Sequence, residues 1–103
     1  SAARRLQQST PRPTAPSSNI QKLESYSDTM AACASSREKE GKMNEAASYF
    51  LKAADILLVV CRDPNIDYPT WLRLSEKASV HHKKVKMLIV NHRRLIETQQ
   101  NPQ

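Results

Sequence analysis

The sequence predicts an all-α fold, an antiparallel up-down-up three-helix bundle with a disordered N-terminal tail. Three observations carry that reading. Three long stretches repeat apolar residues at three- and four-residue steps, the period of a helix with one buried face. The chain has one Gly and six Pro in 103 residues, and these lie outside those stretches or at their edges, as helices joined by short loops require. The length suffices for one domain and not two.

The first helix is expected from about Ile20 to Lys39, in a domain spanning 19–98. Ser18 with Gln21 fits a capping box, and Asn19 is a competing cap. Leu23, Ser27, Met30, Ala31 and Ala34 form a narrow face of small side chains that lets a neighbour approach closely. Gly41 is placed to end the helix in the left-handed conformation.

The second helix is expected from Met43 to about Arg62. Met43, Ala46, Ala47, Phe50, Ala53, Ala54, Leu57, Leu58 and Cys61 hold the helical step throughout. Pro64 ends it, and CRDPNIDYP reads as a connecting loop.

Pro69 suits the first turn of a third helix. That helix should reach about Thr98, some 30 residues or ~45 Å at 1.5 Å per residue. Its inner stripe is Trp71, Leu74, Ala78, His81, Val85, Leu88, His92 and Leu95. Its last turns should project beyond the other two helices. About a dozen buried large side chains, at ~1.5–3 kcal/mol each, would make a modest core.

Residues 1–18 hold three Pro and one large apolar side chain, Leu6. They cannot bury enough surface to offset their ordering entropy, so a disordered linker is expected there, and a short disordered end at 99–103. Thr10-Pro11 has the form of a proline-directed phosphorylation site. The start at Ser1, without an apolar leader, reads as a cut from a longer chain. No apolar run is long enough for a transmembrane segment. Cys33 and Cys61 lack CxxC spacing and fall at apolar helical positions. They read as buried reduced thiols in a cytoplasmic protein, although a disulfide across a helix pair is open in principle.

The chain carries a net charge of +6, and the excess belongs to the tail (Arg4, Arg5, Arg12) and to the third helix. Such a surface attracts acidic peptide, anionic lipid or nucleic acid. No nucleophile elbow, HExxH, P-loop or zinc spacing is present, so neither an enzyme nor a small-molecule substrate is expected. His81 and His82 are adjacent and point about 100° apart on a helix, and His81 and His92 are ~16 Å apart along the axis. Both pairs are read as structural, with no metal and no cofactor.

A second apolar set on the third helix lies off the inner stripe: Leu72, Val80, Met87 and Val90. Lys83 and Arg94 fall between its members, and Lys77 and Lys84 run along its edge. Apolar points among cations suit an acidic amphipathic peptide laid along the helix. Val80, Lys83, Lys84, Met87, Val90 and Arg94 are therefore the candidate peptide-binding residues. Val80 and Met87 read equally well as packing against another helix, and Leu72 as an ordinary exposed residue.

The segment EGKMNEAASYFLKAADILL, from Glu40 to Leu58, resembles the MIT (microtubule-interacting and trafficking) family. Gly41, Glu45, Ala46, Phe50, Ala53 and Leu57 stand at its characteristic positions. Met30, Ala31 and Ala34 match the first helix of that family. The likeness runs loosely over 20–95 and is specific over 40–58. Tetratricopeptide helices share a similar Gly-Ala pattern, but this chain has too few repeats for them. The loop CRDPNIDYP is also similar to that of atypical MIT-like domains of endosomal deubiquitinases. The resemblance implies a monomeric three-helix module that binds acidic C-terminal tails of ESCRT-III-type subunits and recruits a larger host, often an enzyme, to endosomal membranes. In that family helical motifs dock between helices two and three, and extended motifs between helices one and three. This chain departs from the family in carrying Lys83 or Lys84 where many members have an acid that pairs with an Arg of the tail. The alternative function is a basic helical nucleic-acid-binding domain. It lacks a short turn to place a recognition helix, and the only aromatic of the third helix, Trp71, is assigned to the core stripe.

Overall fold

The computed structural model describes residues 18–100. The disorder expected over 1–17 and 101–103 lies outside the described residues, whereas Ser18 and residues 99–100, also expected to be disordered, are helical. Three helices follow in order: α1 (Ser18–Lys39), α2 (Met43–Val60) and α3 (Tyr68–Gln100). They form the antiparallel bundle. α2 lies between the other two and packs along both.

The joints follow from local chemistry. Gly41 takes φ of 81°, and behind it the Lys42 amide donates to the Arg37 carbonyl at 2.9 Å, the capping bond of a left-handed helix stop. At the other joint Asp67 caps α3. Its carboxylate accepts from the Thr70 amide at 3.4 Å, and its carbonyl accepts from the Trp71 amide at 2.9 Å. Pro69 sits in the first turn, where a missing N–H costs nothing. The Thr70 bonds are the main cause of the Asp67 carboxyl titrating below its ordinary range. α1 starts slightly before the expected Ile20, α2 stops two residues before Arg62, and α3 runs two residues past Thr98, through Gln100.

The core is built from small side chains. Of its buried apolar residues, Ala34, Ala46, Ala53, Ala54 and Ala78 are alanines, and only Ile20, Phe50, Leu57, Val60, Leu74, Val85 and Leu88 are larger. That is fewer than the expected dozen large side chains. Helices facing each other through alanine approach closely, so backbone proximity replaces side-chain bulk. Ser27 shows it: wholly buried, its hydroxyl donates to the Ala53 carbonyl at 2.8 Å, joining α1 directly to the α2 backbone.

Three stripe assignments are corrected. Trp71 is 39% exposed and stacks on Tyr68 instead of entering the core. Leu95 is 54% exposed, because α3 continues where α1 has already ended. Leu23 is also exposed, and Ile20, one turn earlier, takes the buried place. Both cysteines are free and half-buried, not buried. The Cys61 thiol lies 3.5 Å from the Ser75 hydroxyl. Among the described residues no helix is long and apolar enough to cross a membrane.

Candidate peptide-binding groove

α1 and α3 run parallel but do not pack closely on each other. Ion pairs join them instead. Glu24 accepts from Arg73 at 2.5 Å and from Lys77 at 2.6 Å, and Asp28 accepts from Lys77 at 2.9 Å. Further along, Lys84 reaches Glu38 at 2.9 Å. The Glu24–Arg73 and Asp28–Lys77 pairs are both separated by 49 residues, so the register is constant: Ala31 stands opposite Val80, and Ser35 opposite Lys84.

Between the two sets of ion pairs lies a groove of about 460 Å³. Ala31 and Ser35 of α1 form one wall, and Val80, Lys83, Lys84 and Met87 of α3 the other. Phe50 of α2 and His81 are also part of it, their rings stacked 5.9 Å apart. The α1 wall is low because its residues are small. Ala31 and Ser35 follow Glu24 and Asp28 at three- and four-residue steps, so one line along α1 reads acid, acid, small, small, acid.

The electrostatics are asymmetric. Glu24 titrates below its ordinary range chiefly because Arg73 donates to it, with Lys77 adding to the effect against the cost of burial. Lys77 is held above its usual value by Glu24 and Asp28, although burial opposes them. His81 moves the other way: burial, and then the Lys77 charge, push its pKa down against the opposing pull of Asp28. Burial thereby favours the neutral ring, and among the described residues its buried Nε2 has no hydrogen-bond partner. Lys83 is exposed and takes part in no ion pair among the described residues.

Four of the six candidate residues, Val80, Lys83, Lys84 and Met87, thus come together on one wall. Val80 and Met87 are 62% and 58% exposed, so neither is a core packing residue. Val90 and Arg94 are exposed further along α3, outside the groove lining. Leu72 is exposed as an ordinary surface residue. Sequence reasoning missed Ala31, Ser35, Phe50 and His81 as groove residues, and missed Glu38 as the partner of Lys84. The signal for Ser35 was its place one helical turn after Ala31.

A second depression of about 600 Å³ lies between the start of α2 and the end of α3, lined by Met43, Ala47, Leu88, Ile89 and Ile96 among others. Arg93 and Glu97 both border it, so its rim has no single sign of charge. Among the described residues no cluster of three His, Cys, Asp or Glu could hold a metal ion. No family model matches the chain, and no curated protein or solved structure matches it.

Proposed function

We propose that this chain is a protein-interaction module that receives an acidic, apolar-anchored peptide in the groove between α1 and α3. The resemblance to MIT domains suggests the source of such a peptide: the acidic tails of ESCRT-III-type subunits, through which a larger host is brought to endosomal membranes. One observation carries the reading. Val80 and Met87 are exposed on the same wall as Lys83 and Lys84, beside a low wall of Ala31 and Ser35. An extended backbone fits between such walls, with apolar side chains against Val80, Met87 and Phe50 and carboxylates on the lysines. The family acid that serves the groove between helices two and three is replaced by Lys83 or Lys84, and here both lysines line the groove between α1 and α3 together with these anchors.

The test is binding of fluorescent acidic tail peptides at two salt concentrations. Truncating or charging an apolar anchor should cost about 1–3 kcal/mol, roughly 5- to 150-fold in affinity. An exposed ion pair is worth only about 0–1 kcal/mol and fades with salt. Met87→Asp should therefore weaken binding strongly at both salts, and Lys83→Ala mildly and mainly at low salt. A folded Met87→Asp protein with full affinity would remove the groove from the reading. If the chain instead bound nucleic acid through its cations, affinity would fall steeply with salt and ignore Met87.

A further inference from the structure

The groove uses one flank of α3 and leaves its outer side unaccounted for. Between Glu76 and Glu97 the helix carries no carboxylate, while Lys77, Lys83, Lys84, Lys86, Arg93 and Arg94 all fall there. Lys77 and Lys84 are turned toward α1 by their ion pairs. The other four are exposed and appear in no ion pair among the described residues.

At 3.6 residues per turn, Lys83, Lys86, Met87, Val90, Arg93 and Arg94 fall within an arc of about 120°. That arc lies opposite the buried stripe of Leu74, Ala78, Val85 and Leu88. Met87 and Val90, 58% and 48% exposed, stand among the four cations. Lys83 and Met87 stand on the rim of the α1–α3 groove and Arg93 on that of the second depression, whereas Lys86, Val90 and Arg94 line neither, and the arc as a whole faces away from the buried stripe. A planar partner can touch its whole length, ~16 Å from Lys83 to Arg94 at 1.5 Å per residue.

We propose that this outer face of α3 seats on an anionic lipid membrane, the four cations at the headgroups and Met87 and Val90 at the acyl boundary. Lysine and arginine near such a surface are each worth about fivefold in affinity, and apolar side chains between them add insertion. A polyanion such as RNA would satisfy the cations and leave Met87 and Val90 unrewarded, and the arc has no aromatic residue on which a base could stack. The inference does not rest on the peptide reading, because Lys86, Val90, Arg93 and Arg94 lie outside the groove lining.

The experiment is flotation of the chain with vesicles of pure phosphatidylcholine and with vesicles containing phosphatidylserine at roughly one lipid in three. The chain should float with the anionic vesicles and not with the neutral ones. Val90→Asp should lower partitioning about tenfold or more, and Val90→Ser, which adds no charge, should lower it less. Lys86→Glu with Arg94→Glu should abolish it. All are exposed positions, so helicity by circular dichroism should be unchanged, and peptide affinity should survive Val90→Asp. Failure of the folded chain to float with anionic vesicles overturns the proposal. So does full flotation of Val90→Asp and Val90→Ser combined with displacement of the wild type by single-stranded RNA, which would mark a surface that reads polyanions alone. Flotation without any peptide binding would leave this inference standing and remove the groove.

Discussion

Lys84 of α3 reaches across the groove to Glu38 of α1 at 2.9 Å, so the protein already places a carboxylate where an acidic ligand would place one. Lys83, one residue earlier, has no such partner among the described residues. An incoming acid meets Lys83 freely but must displace Glu38 to reach Lys84. Glu38→Gln should therefore raise the affinity for acidic peptides by up to about fivefold at low salt, the value of an exposed or half-exposed pair. Fluorescence anisotropy measures it, and the gain should shrink as salt is added.

The stacking of His81 on Phe50 makes the fold sensitive to acid. The unfolded histidine titrates near 6.5, and burial lowers the folded value. Between the two values the unfolded chain binds more protons, so stability is complete above about pH 6.5 and declines as pH falls through the interval. Urea midpoints should drop from pH 7.5 toward pH 5.5 in the wild type. In His81→Phe that part of the decline should vanish. His82, Lys77 and Asp28 also act on the ring, so Lys77→Met should raise the histidine's pKa, which an NMR titration would follow.

Ser27 is wholly buried with its hydroxyl on the Ala53 carbonyl. Ser27→Ala should cost about 1 kcal/mol, the net value of one such bond. Ser27→Leu should cost more, about 1–3 kcal/mol or above, because two helices in close approach have no room for the added volume. Thermal melts of the two variants should separate in that order.

Gly41 holds a positive φ with nothing within 4 Å of where a Cβ would lie. The cost of Gly41→Ala is then purely conformational, about 1–2 kcal/mol. Leu57→Ala, at the centre of one half of the core, should cost about 2–5 kcal/mol. Equilibrium unfolding in urea should rank Leu57→Ala as the more damaging.

α2 was legible in the sequence because the apolar residues that hold its helical step, Met43 through Cys61, are all buried or half-buried, so periodicity and burial coincide along that stripe, while Leu51 and Val59 lie off it and are exposed. On α3 they part company. The three-and-four spacing continues through Leu95 although α1 has ended, and a repeat cannot reveal how far its partners extend. Trp71 lies in phase with Leu74 and Ala78 yet stays exposed beside Tyr68, because size and phase do not locate the end of a core. The off-stripe position of Val80 and Met87 was readable from angles on their own helix. Which neighbour they face was not, since that depends on the register fixed by Asp28–Lys77 and Glu24–Arg73, contacts 49 residues apart. Asp67 was missed as a cap because Pro64 and Pro69 dominate the reading of that loop.

The two seams that α2 makes are largely apolar and rich in alanine, whereas α1 and α3 meet through charged side chains. The bundle is therefore built like a hinged jaw with α2 as its spine. Alanine contact fixes the spine, and the gape is set by the reach of lysine and arginine and by the ions around them. Raising ionic strength loosens the jaw without softening the spine. Salt should then change amide exchange along the facing edges of α1 and α3 sooner than it changes the melting of the whole domain.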